Sequence, residues 1–295
     1  MSSPVRSIMR KLSNEPINIL SISNDGLFEY SLAELGYKVF VPVNPGKTNE
    51  NIKHDNLVFL HGPIGDSPIS YEFDCVMIHD KLSSYEIGAR LSDHFHIPLI
   101  LVEHYYRLDS IKNEQVMMLQ QQKYWKRINA SYDVSRTWGV EADGNILYNI
   151  PITNKPKNNT VLVYGQFTQQ DSQLLFMLKN LVPNLKIIGA GLLTENCDPF
   201  IELSTCSTFI NLVNSTKIPI PMLYAMGAGA RVISSPCTWY KDFPGIIWIN
   251  ELDTIQQNIA QPFKNAADFI AREWNQQQFE QWIPILDSIR MHTWK

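Results

Sequence analysis

Residues 208–235, TFINLVNSTKIPIPMLYAMGAGARVISS, constrain the fold more than any other stretch of this chain. Residues 208–213 read as a strand, residues 214–216 as a polar turn, and a helix is entered through Pro219 and Pro221. That helix carries Met222, Leu223, Ala225 and Met226. It stops at Gly227-Ala228-Gly229, the small-residue ending that a helix C-terminus prefers. Residues 231–234 form the next strand, so the stretch is a βαβ unit and demands a parallel sheet. A polar turn into a helix also directs free backbone N–H groups and the helix dipole outward, which suits an anion such as a diphosphate.

The same alternation runs through the rest of the chain. Strands are expected at 17–23, 38–43, 56–62, 73–80 and 97–104, with helices through Phe28, Leu32 and Leu35 and over 84–95. Near-continuous apolar strands between helices argue for a doubly wound sheet, and ligands of such sheets sit beyond the strand C-terminal ends. Those ends carry Asn24-Asp25-Gly26, His61-Gly62, His79-Asp80-Lys81 and Glu103-His104, a convergence that suggests a ligand cleft. Residues 115–129 read as a polar helix ending in Lys123, Tyr124, Trp125, Lys126 and Arg127. Such interleaving suits either a solvated helix end or a phosphate or base contact. Pro151 and the run KPKNNT at 155–160 mark a linker, giving an N-terminal domain over 1–152 and a C-terminal one over 153–295. The second half restarts with strands at 160–165, 185–191 and 245–250 and helices at 171–181 and 199–204. From 252 to 294 come helices holding Trp274, Phe279, Trp282 and Ile285, which are expected to pack back.

Composition sets further bounds. With 44% hydrophobic residues, a 295-residue chain can bury a real core. Residues 1–150 hold 14 Lys and Arg against 18 Asp and Glu, and the remainder 11 of each, so no domain-wide basic footprint exists for nucleic acid. No apolar run approaches the roughly 20 residues of a membrane span, and residues 1–16 lack a secretory core, so a cytoplasmic protein is expected. Cys75, Cys197, Cys206 and Cys237 form no CxxC pair, consistent with a reducing interior. His94 and His96 have no carboxylate or cysteine at metal spacing and read as a helix end.

The segment 208–235 resembles the nucleotide-sugar-binding core of GT-B glycosyltransferases, especially the retaining group with two signature glutamates. Ser215, Leu223, Ala225-Met226, Gly229 and Val232-Ile233 fall in step with that pattern, whereas Thr216 and Tyr224 stand where the glutamates would be. The family's Gly-Arg/Lys turn reads Gly165-Gln166-Phe167-Thr168-Gln169-Gln170-Asp171 here, without a cation, while Gly189-Ala190-Gly191 is retained. Residues 78–104 are also similar to a bacteriophage subgroup.

The resemblance implies a GT-B-like α/β fold of two doubly wound Rossmann-like domains facing a cleft, acceptor domain first. It implies a donor site of Gly165, Gln166, Gly189, Gly191, Ser215, Thr216, Lys217 and Tyr224, and an acceptor side of Asn24, Gly26, His79, Lys81 and Arg107. His104 and Asp25 are the candidate catalytic residues, each also readable as a cap. The implied activity is retaining transfer of a sugar to a hydroxyl, with no metal or cofactor beyond the nucleotide-sugar cosubstrate, UDP-sugars first. Acceptors implied are hydroxymethylated bases of phage DNA, in host cytoplasm, or else a glycan or small molecule; Lys123, Lys126, Arg127 and Arg136 favour DNA. The alternatives are a degenerate GT-B scaffold kept for binding or assembly, and a nucleotide-sugar epimerase.

Overall fold

The computed structural model describes residues 15–22, 26–43, 53–61, 73–79, 82–103, 118, 121–129, 143–145, 149–191, 193–195, 197–212, 220–236, 242–251 and 254–291. The chain divides into two compact units, one of residues 1–149 and 277–295 and one of residues 150–276.

In the first unit the elements are β1 (Asn18–Ile22), α1 (Gly26–Glu34), β2 (Lys38–Pro42), β3 (Leu57–Leu60), β4 (Cys75–His79) and α2 (Leu82–Phe95). They are followed by β5 (Leu99–Glu103), β6 (Lys126–Asn129) and β7 (Gly144–Asn145). All pair in parallel in the order β3-β2-β1-β4-β5-β6-β7. Leu20, Phe40, Val76, Ile78 and Leu101 are fully buried on this sheet, as their apolar runs require. Helix α1 ends where Gly36 takes a φ of 89°: Gly36 N–H donates to Ala33 O and Tyr37 N–H to Leu32 O, satisfying two end carbonyls. Helix α2 lies close on the sheet through Gly88, where a Cβ would come 2.3 Å from Ile78 Cγ2.

The second unit contains β8 (Val161–Gln166), a 3-10 turn (Gln169–Asp171), α3 (Ser172–Leu181), β9 (Leu185–Ala190), α4 (Pro199–Thr205) and β10 (Thr208–Asn211). It continues with α5 (Ile220–Gly227), β11 (Arg231–Ser234), β12 (Ile246–Trp248), α6 (Ile255–Ala260) and α7 (Ala267–Phe269). A π-helical turn (Ile270–Trp274) then leads into α8 (Asn275–Met291), whose residues from Gln277 belong to the first unit. The sheet is parallel in the order β12-β11-β10-β8-β9. Helix α4 starts at Pro199 because the Asp198 carboxylate accepts from Phe200 N–H at 2.9 Å. Helix α5 stops as the sequence suggests: Gly229 adopts a φ of 77° and Ala230 N–H donates to Ala225 O.

One expectation is overturned. Residues 121–129 are not the end of a helix: Lys126–Asn129 is a strand registered on β5, and Trp125 N–H donates to Leu99 O at 2.9 Å.

Candidate functional site

Each sheet has one point where the strand order reverses, and there the polar residues collect. In the second unit it lies between β8 and β10. Strand β8 ends at Gly165-Gln166, and a Cβ on Gly165 would meet the Phe167 ring at 3.2 Å. Strand β10 ends at Asn211, 5% exposed, whose Nδ2 donates to Ser234 Oγ at 3.1 Å. Ser234 Oγ in turn donates to Ser235 O at 3.0 Å, so the ends of β10 and β11 are joined by polar side chains.

The glycine turn after β9 has a packing cause. Gly189 has a φ of 119°, and a Cβ there would stand 1.9 Å from Gly165 O. Gly191 has a φ of 129°, and its Cβ would stand 2.4 Å from Phe167 O. Both glycines are needed because the backbone of β8 and of Phe167 just after it runs against them. Asp171, in the turn that lacks a cation, folds its carboxylate back on Thr168, accepting from its N–H at 2.7 Å and its hydroxyl at 2.8 Å. Those two bonds hold the Asp171 carboxyl below its ordinary range. Tyr224, on α5, is 7% exposed and meets the Phe200 ring edge-on at 5.6 Å.

In the first unit the reversal falls between β1 and β4. Here His79 closes β4 and is 6% exposed. Its Nε2 lies 3.1 Å from Ser21 Oγ on β1 and 3.7 Å from Glu29 Oε1 in the first turn of α1. Ser21 Oγ donates to Glu29 Oε1 at 2.7 Å, and both side chains are essentially buried. The Phe28 ring stands edge-on to the imidazole at 5.0 Å, and Trp282 backs Phe28 at 5.8 Å. A buried Ser–His–Glu cluster amid Ile19, Leu20, Met77 and Ile78 is costly unless its members satisfy one another, as these do.

No family model matches the chain, and no curated relative matches it. Among solved structures it resembles HepE of Anabaena in complex with UDP and glucose, with 14% identity and a TM-score of 0.64 over 92% of this chain and 99% of that one. Sucrose-phosphate synthase of Thermosynechococcus elongatus matches with 15% identity and a TM-score of 0.55 over 93% and 98%. The lipopolysaccharide outer core galactosyltransferase WaaB matches with 18% identity and a TM-score of 0.52 over 92% and 99%. The fold is GT-B.

On this GT-B frame the residues singled out in the sequence divide three ways. Asn24, Asp25, Lys81, His104, Arg107, Ser215, Thr216 and Lys217 lie outside the described residues. Gly165 and the backbone of Gln166 stand at the C-terminal end of β8, Gly189 and Gly191 beside it, and Gly26 begins α1. His79 stands at the switch of the first GT-B sheet and Tyr224 inside the second unit's packing.

Sequence reasoning passed over Ser21, Glu29, Asn211 and Ser234. The signal that could have found the last two is a polar residue closing an apolar strand. Among the basic residues expected at a helix end, Lys126 Nζ bonds Asp143 at 2.9 Å and Arg127 stacks on the Tyr124 ring at 4.9 Å. Among the described residues no group of three His, Cys, Asp or Glu could hold a metal, and no helix is long and apolar enough to cross a membrane.

Proposed function

We propose that this chain transfers a sugar from a nucleotide-sugar donor, UDP-sugars first, to an acceptor hydroxyl, with retention at the anomeric carbon and without a metal. The observation that carries the reading is a GT-B likeness running the length of the chain, to a protein solved with UDP and glucose. Glycosyl transfer of this kind must stabilise a departing diphosphate and an oxocarbenium-like sugar, so dipoles and positive charge near the diphosphate matter most. The polar switch of the second unit suits the donor, and Ser215, Thr216 and Lys217, in the sequence just before α5, are the residues assigned to its diphosphate. His79 and the residues after β1 and β4 suit the acceptor. A hydroxymethylated base in phage DNA is the acceptor to try first. That choice is weakened by the partners Lys126 and Arg127 already have, the Asp143 carboxylate and the Tyr124 ring.

A second reading, a binding scaffold without turnover, draws support from two residues. Tyr224, where the family has a glutamate, packs on Phe200, and Asp171 closes its own turn. A thermal-shift panel of UDP, GDP, CDP, TDP and ADP with their common sugars separates the two. A donor at 100 times its Kd adds about 2.7 kcal/mol of stability. A flat panel rejects the transferase reading and leaves the scaffold. If one base shifts the curve, release of nucleoside diphosphate in the presence of hydroxymethylcytosine DNA, but not unmodified DNA, supports that acceptor.

A further inference from the structure

The cluster at the β1/β4 switch has a directional logic that the fold alone does not require. Ser21 has a single hydroxyl proton, and Oγ directs it to Glu29 Oε1 at 2.7 Å. Toward His79 that oxygen can then serve only as an acceptor, so the nitrogen 3.1 Å away, Nε2, carries a proton. The chain therefore runs from His79 Nε2–H to the Ser21 hydroxyl to the Glu29 carboxylate. Glu29 sits in the first turn of α1, where the helix dipole favours a negative charge.

The ring is confined on its remaining sides. Strand β1 supplies Ser21, and α1 supplies Glu29 and Phe28, with the Trp282 ring of α8 behind Phe28. On β5 the register partner is Val102, followed by Glu103. An imidazole held this tightly at the end of β4, where an open α/β sheet receives its ligand, is oriented for more than packing.

We propose that Glu29 and Ser21 are positioning residues that act through His79: the carboxylate, by way of the hydroxyl, fixes the imidazole in its Nε2–H form and in one orientation. His79 so held supports the transfer step at the acceptor side and leaves nucleotide binding in the second unit untouched. The inference rests on the glycosyl-transfer reading for its consequence, and on geometry alone for the hydrogen-bond chain. Its ligand class is a hydroxyl-bearing group at the β1/β4 switch, the sugar or acceptor portion of the substrate pair.

Two measurements on the full-length chain test it. The first is nitrogen-detected NMR of ring-labelled histidine, with His79→Gln giving the assignment. The wild type shows a protonated Nε2 for His79, and Ser21→Ala and Glu29→Gln change that signature while Ser21→Thr keeps it. The second is turnover of UDP-glucose with UDP binding measured in parallel. Ser21→Ala and Glu29→Gln lower kcat roughly tenfold or more, leave the Kd for UDP within about twofold, and Ser21→Thr restores kcat.

A His79 ring that keeps the same signature in Ser21→Ala and Glu29→Gln overturns the chain. Unchanged kcat, or kcat and UDP affinity falling together with thermal stability, overturns the positioning role and leaves a structural cluster. Wild type that neither binds nor turns over UDP-glucose and the rest of the donor panel defeats the transferase reading and the role in transfer together, while the NMR result still decides the hydrogen-bond chain.

Discussion

The side-chain amide of Asn275 pairs with the main chain of Ile150 at both of its polar atoms: Oδ1 accepts from Ile150 N–H and Nδ2 donates to Ile150 O, each at 2.8 Å. Ile150 is fully buried, and its side chain lies against Gly227 at the end of α5. Removing the amide strands a buried donor and a buried acceptor. Asn275→Ala is expected to cost about 2–4 kcal/mol, read as the urea midpoint of the second unit. Asn275→Asp keeps an acceptor but sets an oxygen against the Ile150 carbonyl. It should recover part of the loss at acid pH, where a protonated carboxyl regains a donor.

Gly189 and Gly191 answer to packing before they answer to any ligand. Alanine at 189 needs a left-handed backbone and puts a methyl 1.9 Å from Gly165 O, a main-chain atom that cannot swing away. Gly189→Ala should destabilise the second unit by about 3 kcal/mol or more. At Gly191 the contact is 2.4 Å, to Phe167 O, and the cost should be similar in kind. If either variant keeps wild-type stability and loses only nucleotide affinity, the turn is a binding loop and not a packing device.

Gly88 tests how closely α2 must approach its sheet. Alanine gains about 1 kcal/mol of helix propensity there, yet its methyl would sit 2.3 Å from Ile78 Cγ2 and 3.1 Å from Leu99 Cδ1. Because Ile78 is fully buried, the clash should win and Gly88→Ala should be destabilising by about 1–3 kcal/mol. Combining it with Ile78→Ala should cost less than the two single changes added, because the methyl then fills space the isoleucine left. Strict additivity would mean that α2 shifts instead.

These contacts explain what the sequence could and could not announce. Most of the parallel strands and their connecting helices are legible because those strands are runs of β-branched and apolar residues and two of the helices, α1 and α5, end on glycines of positive φ, Gly36 and Gly229. Strand β6 is not legible. Among its described side chains, Lys126, Arg127 and Ile128, only Ile128 is buried, and the extended form of Lys126–Asn129 comes from pairing with β5 and from Asp143, which takes Arg127 N–H at 2.8 Å. The Ser21–Glu29–His79 cluster is hidden for a related reason. Ser21 and His79 are 58 residues apart, and only the β1/β4 pairing brings them together. Local periodicity carries no trace of such a contact.

Cys206 gives the chain an alkaline weakness whose sign is fixed by burial. Its thiol is fully buried between α4 and β10, and desolvation pushes its pKa up to about 11 from an ordinary 9.0, against the opposing pull of the nearby Lys157 ammonium. The folded state therefore holds the proton more tightly than the unfolded chain does. Below pH 9 both states are protonated and the full stability is present. Between about pH 9 and 11 only the unfolded chain ionises, so stability falls as pH rises through that window. The shift corresponds to about 2–3 kcal/mol. Cys75, also buried and also raised, adds a loss of the same sign, so the wild type alone cannot apportion it. The difference between wild type and Cys206→Ala, measured by urea denaturation at pH 8, 9, 10 and 11, isolates the Cys206 share. That difference should narrow in the alkaline window, because the alanine variant has no thiol to ionise at this position. A constant difference across the four pH values would mean that Cys206 ionises alike in both states, and that the interior around it admits water.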